Sequence, residues 1–170
     1  MEVYDDPMLV EVLTGIAGLK ALNVVRILRS KKEMTDYELA HIMGMSWNKT
    51  RGILYNLNTR NVVRCRKMND KRTGKTMYFW SLDEDRLRSL LIERRKETLQ
   101  KLREKLSFEQ ENNFYSCITG CTRVQFDKAM EYEFMCPVCR EPLNFQDNTV
   151  IVEELNSYIQ HLESSLGVLA

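Results

Sequence analysis

Of the side chains in this 170-residue sequence that could do chemistry, the five cysteines are the most suggestive, and four of them fall in one stretch. Cys117-x3-Cys121 is followed, after fourteen intervening residues, by Cys136-x2-Cys139. Two close thiol pairs a hairpin apart match the ligand pattern of a tetrahedral structural zinc site, each pair on a tight turn and both turns facing one ion. Pro137 stiffens the second turn, and Gly120 frees the backbone just before Cys121. The same spacing also admits two disulfides or a redox CxxC. The opening MEVYDDPMLV is short, acidic and unlike an apolar signal segment, so a reducing cytoplasm is the expectation, and no βαβ pattern surrounds CPVC. One structural Zn2+ held by Cys117, Cys121, Cys136 and Cys139 is therefore expected. Four thiolates close the coordination shell, which argues against a catalytic metal.

Other chemistry has little support. Only His41 and His161 are present, with no partner spacing, and no phosphate loop, dinucleotide fingerprint, HExxH or GxSxG occurs. The expectation is a protein that is not an enzyme. No run approaches the ~18 apolar residues of a membrane helix.

The net charge of +1 conceals a division along the chain. Residues 46–80 carry nine basic groups against Asp70 alone, a balance of +8, whereas residues 108–170 carry three basic and ten acidic groups, a balance of −7. Two contact surfaces follow, one suited to nucleic acid and one not.

The elements that must carry these groups can be read from periodicity. Apolar residues from Pro7 to Ser30 recur at helical spacing, interrupted near Gly15 and Gly18, which predicts two helices or one bent one. Thr35-Asp-Tyr-Glu38 is a capping box opening a helix that Gly44 ends. Ser46 is a candidate N-cap for a third helix, with Thr50, Ile53, Leu54 and Leu57 along one side. Val62–Met68 and Thr76–Leu82 alternate as strands around the polar turn NDKRTGK. Helix, helix, turn, helix and a hairpin with a basic loop is the order of a winged helix. Residues 83–107 follow as a charged helix, and the segment from Val150 to Leu166 as an amphipathic one. The expected fold class is mostly α with small β elements. It comprises an N-terminal winged helix-turn-helix (1–82), a connecting charged helix (83–112), a C-terminal zinc ribbon (113–147) and an amphipathic tail (148–170).

On this scaffold Lys49 and Arg51 lie in the first half of the third helix, where a recognition helix meets a groove. The hairpin adds Arg64, Arg66, Lys67, Lys71, Arg72 and Lys75 as phosphate contacts, the kind that give affinity without sequence information. Alternation places Trp80 and Leu82 toward the core and Phe79 on the other face, as a candidate stacking group. Cys65 shares a face with Val63 and reads as a small buried hydrophobe. Docking of the basic wing on an acidic protein surface is the alternative.

Together LYNLNTRNVV, the hairpin ending TGKTMYFWSL, the charged helix, and FYSC followed by FDKAMEYEFMCPVCREPL resemble the archaeal transcription factor E family, itself similar to the alpha subunit of general transcription factor IIE. The resemblance covers about residues 5–147, with FDKAMEYEFMCPVC its most specific part. The chain departs from the family pattern in the three-residue spacer of the first cysteine pair, in Arg140 where a glycine is common, and in Lys75 where an aromatic is frequent. The resemblance implies an initiation factor of the preinitiation complex of RNA polymerase, TATA-binding protein and the TFIIB-like factor. Such a factor binds the polymerase clamp and stalk and helps the promoter melt, its winged helix near the upstream edge of the bubble. A second factor subunit is among the partners it allows. A stand-alone winged-helix repressor and a polymerase-binding adaptor without DNA contact are the alternatives.

Overall fold

The computed structural model describes residues 6–69, 74 and 76–169. The chain divides into two compact units, Met1–Arg94 and Arg95–Ala170.

In the first unit, α1 (Pro7–Ala17) begins where the Asp6 carboxylate accepts the Met8 N–H at 2.8 Å, with proline in the first turn. It ends at Gly18, φ +81°. A separate α2 (Ala21–Lys31) follows, so the glycine interruption produces two helices. The capping box forms as expected: the Glu38 N–H donates to Thr35 Oγ1 at 3.2 Å, and the Thr35 N–H to Glu38 Oε2 at 2.8 Å, opening α3 (Asp36–Met43). Gly44 closes α3 in the left-handed region at φ +60°. Ser46 stands at the N-cap of α4 (Trp47–Thr59).

The hairpin is β2 (Val63–Asn69) with β3 (Thr76–Leu82), and a strand not anticipated from KKEM, β1 (Glu33–Thr35), adds to its other side. The antiparallel order is β1-β3-β2. Trp80 lies opposite both Met34 and Cys65. Leu9, Leu13, Val24, Val25, Leu28, Leu39, Leu54, Leu57, Val62 and Val63 are completely buried, and Trp80 joins them. Burying one such side chain stabilises by roughly 1.5–3 kcal/mol, so this unit has a core of its own.

Cys65 corrects the expectation. It is exposed, because only the root of the hairpin, Val63 and Trp80, lies over the helices, and β2 is exposed beyond Val63.

Asp83 caps α5 (Glu84–Glu111), its carboxylate accepting the Arg86 N–H at 3.1 Å. The boundary between the units falls within this helix. In the second unit, β4 (Phe114–Cys117) is the central strand of a sheet ordered β5-β4-β6, with β5 (Arg123–Gln125) and β6 (Leu143–Gln146) antiparallel to it. A short α6 (Phe126–Glu131) follows β5. The tail is α7 (Thr149–Leu169), started by Asp147, whose carboxylate accepts the Thr149 N–H. Leu99, Leu155, Ile159 and Leu162 are buried, and Arg95 donates to the Ser165 carbonyl at 2.9 Å. Among the described residues, no single helix is long and apolar enough to cross a membrane.

Candidate metal centre and nucleic-acid face

Strand β4 delivers Cys117 to the end of the ribbon sheet, where the chain turns through Ile118-Thr119-Gly120 to Cys121. Gly120 takes φ +74°, the conformation its lack of Cβ permits. After α6, Glu133 (φ +51°) and Phe134 (φ +55°) reverse the chain to Cys136. The Cys136 N–H donates to the Glu141 carbonyl at 2.8 Å and the Arg140 N–H to the Cys136 carbonyl at 2.9 Å, closing the second knuckle around Cys139.

All five cysteines are free thiols, and the four sulfurs of Cys117, Cys121, Cys136 and Cys139 lie within 4.8 Å of one another. A Zn–S bond of about 2.3 Å places tetrahedral sulfurs ~3.8 Å apart, so this donor set has the dimensions of a closed four-thiolate site. The four cysteines can therefore hold a metal ion. Cys117 and Cys136 are buried and Cys121 and Cys139 exposed, so one side of the cluster faces solvent.

Hydrogen bonds favour the thiolate at two of the four cysteines. The Thr119 hydroxyl, the Glu141 N–H and the Cys117 thiol hold Cys139 down to about 6. The Thr119 hydroxyl and N–H also lower Cys117. At Cys121 the same hydroxyl acts downward but is outweighed by the neighbouring Cys139 and by burial, and the thiol is raised.

The cluster is packed by few residues. Cys117, Ala129, Cys136 and Leu143 are its buried members, with Tyr115, Val124 and Phe134 against them. At the base of the ribbon, Arg123 makes a two-pronged ion pair with the buried Glu109, at 2.9 and 2.7 Å, and lies over the Phe114 ring. Asn148 donates to the Glu109 carbonyl at 2.7 Å and to its carboxylate at 3.1 Å. This clamp joins the end of α5, β5 and the start of α7. No spacing in the sequence marks it.

The proposed nucleic-acid residues divide into two groups. Lys49 on α4 and Lys67 on β2 are exposed. Three arginines are engaged by acids: Arg64 with Asp83 at 2.6 Å, Arg66 with Glu33 at 2.9 Å, and Arg51 with the buried Asp36 at 3.5 Å. Arg51 also donates to the Tyr55 hydroxyl at 2.6 Å and lies 4.6 Å from the centre of the Trp47 ring, 5.3 Å from Tyr55 and 5.4 Å from Tyr78. Trp47 in turn stacks on Tyr37 at 5.1 Å. Phe79 is half-buried with the Arg66 guanidinium across its ring. Lys71, Arg72 and Lys75 lie outside the described residues.

This arrangement has relatives. Residues 7–111 match the family described as TFIIE alpha subunit. A protein named Transcription factor E from Thermococcus kodakarensis is 40% identical over 161 residues, covering 94% of this chain and 87% of that protein. Another so named, from Methanococcoides burtonii, is 32% identical over 95% of this chain and 97% of its own length. A solved structure titled "Possible transcriptional regulator from Methanosarcina mazei Go1" has a TM-score of 0.50 at 11% identity, over 58% of this chain and 83% of that one, a likeness of fold alone. By the match over residues 7–111 and the near full-length identity to these archaeal relatives, the chain belongs to the TFIIE alpha subunit family that includes transcription factor E.

Proposed function

We propose that this protein enters the RNA polymerase preinitiation complex and assists promoter opening, its winged-helix unit turned toward DNA and its ribbon and last helix toward protein. Membership makes it a basal transcription initiation factor, in a family of transcription factors rather than enzymes. The observation that carries the finer reading is where the charge falls. The +8 block of residues 46–80 belongs to the unit Met1–Arg94, and the −7 block of residues 108–170 to the unit Arg95–Ala170. A basic surface attracts the phosphate backbone, and an acidic one is repelled by it.

Because Arg51, Arg64 and Arg66 already have acidic partners, the weight of phosphate contact falls on Lys49, Lys67, Lys71, Arg72 and Lys75, with Phe79 as the candidate stacking group. Such contacts are electrostatic and indifferent to sequence, which suits DNA near a bubble better than an operator. The polymerase clamp and stalk, the TATA-binding protein, the TFIIB-like factor and a second factor subunit are the proposed partners, in the cytoplasm of an archaeal cell. Zinc is the proposed ion, since soft thiolates select it. The working parts are the winged helix (1–82), the connector (83–112), the ribbon (113–147) and the tail (148–170).

The paired arginines favour one second reading, in which the wing docks on protein. Permanganate footprinting of the bubble with Lys71→Glu plus Arg72→Glu, beside a polymerase pull-down, separates the two. Reversing two charges near phosphates costs about 1–2 kcal/mol, roughly a five- to thirty-fold drop in the open fraction, with polymerase retained. Loss of polymerase binding at unchanged fold supports the adaptor instead.

A further inference from the structure

The two knuckles of the metal centre are not equivalent. The second is Cys136-Pro137-Val138-Cys139, whose third position is an apolar valine exposed to solvent. Its outgoing thiol, Cys139, lies 3.4 Å from Cys117 Sγ. The first knuckle carries the extra residue, Cys117-Ile118-Thr119-Gly120-Cys121, and its third position is a threonine. The described hydrogen-bond partner of Cys121 is the Thr119 hydroxyl.

The Thr119 hydroxyl reaches more than one sulfur. Its oxygen is 3.0 Å from Cys117 Sγ, 3.0 Å from Cys121 Sγ and 3.4 Å from Cys139 Sγ. Four thiolates around a divalent ion leave a net charge of about −2, and hydrogen bonds donated to sulfur from the outer shell spread that charge and orient the ligands. The three-residue spacer moves Cys121 one position along its turn, where the Thr119 hydroxyl meets its sulfur at 3.0 Å.

We propose that Thr119 is an outer-shell positioning residue of the metal centre, its hydroxyl donating to the Cys121 thiolate and so making the irregular Cys-x3-Cys knuckle a competent half-site. This inference rests on the reading of the four cysteines as a zinc centre. It also accounts for the threonine being where it is: Ile118, its neighbour, is exposed and touches none of the sulfurs through a polar atom, whereas Thr119 touches three.

The test compares Thr119→Val, which keeps the shape and copies the residue at the third position of the second knuckle, with Thr119→Ser, which keeps the hydroxyl. Zinc retention is read on the full chain by competition with a chromophoric chelator, and the thiolate-to-metal charge-transfer bands are read after cobalt substitution. Outer-shell losses weaken metal affinity by roughly 10–100-fold. Thr119→Val is therefore expected to hold zinc at least tenfold more weakly and to shift the cobalt bands, while Thr119→Ser matches the wild type in both. Wild-type retention and bands in Thr119→Val overturn the proposal, as does an equal loss in Thr119→Ser, which would assign the effect to the methyl group. Failure of the wild-type chain to bind either metal overturns the zinc reading and this inference with it.

Discussion

Among the described residues of the first unit, eleven leucine and valine side chains from five helices and the hairpin root are completely buried, and Trp80 adds an aromatic. Around the ribbon's knuckles the buried cluster is Cys117, Ala129, Cys136 and Leu143, so half of it is cysteine. The contrast assigns different physics to the two regions. The first coheres through apolar area removed from water, which no ion is needed to complete. In the second, two short turns holding four thiols converge with little hydrophobic support, and an ion bound there would supply folding free energy. Charge divides in the same way: the basic block lies in the unit with the larger apolar core, the acidic block in the unit that carries the four cysteines.

The strongest way to break this contrast is at the ligands. Cys136→Ser removes a buried thiol and is expected to abolish zinc binding and unfold residues 113–147, with the circular dichroism of the helical unit retained. Zinc content by elemental analysis and protease sensitivity check it. A zinc-free wild-type chain with its ribbon intact would show that the ribbon needs no staple.

The reciprocal test truncates the other core. Leu28→Ala, at a completely buried position of α2, is expected to cost about 2–5 kcal/mol in the first unit, by denaturant titration, while zinc stoichiometry stays that of the wild type.

Next in size is the clamp at the base of the ribbon. The Arg123 guanidinium, with the Asn148 amide, holds the Glu109 carboxyl below the usual carboxylate range against the effect of burial. Since the folded-state value is the lower one, the stabilisation is complete above the unfolded value of about 4.3 and is lost as pH falls through the folded value. Thermal melts below pH 5 should show the second unit losing stability more steeply than Glu109→Gln, which at neutral pH is already weaker by about 1–3 kcal/mol. Parallel acid profiles for the two proteins would count against the clamp.

The smallest effect is expected at Arg140, which holds φ +64° just after Cys139. A side chain in the left-handed region costs about 1 kcal/mol, so Arg140→Gly should strengthen the ribbon by about that much in chelator-challenge melts. A decrease would mean that the arginine side chain contributes more than its backbone strain removes.

Much of this was legible in the sequence. Helical spacing, the Thr35–Glu38 capping box, the terminating Gly44 and the alternation of Thr76–Leu82 each reflect a local rule that tertiary packing did not override. The four-cysteine centre was legible because ligand spacing on a turn is local as well. What escaped was non-local or short. Strand β1 has three residues and α6 has six, too few for a period to show. Cys65 sits on the inward face of its strand, yet alternation cannot say how far a hairpin extends beyond the helices. The partners of Arg51, Arg64 and Arg66 lie far off in sequence, so a basic block that read as free charge is partly neutralised by Asp36, Asp83 and Glu33. Thr119 carries no signal in the sequence, because its nearness to three sulfurs depends on where they converge, which the fold decides.

The most direct measurement is an amide-resolved NMR titration of the full chain with a strong zinc chelator, followed by zinc readdition. The account predicts that resonances of residues 113–147 collapse toward unfolded positions and return with zinc, while those of residues 7–69 and 76–82 hold theirs throughout. Ribbon resonances that persist without metal, or winged-helix resonances that melt along with the ribbon, would contradict it.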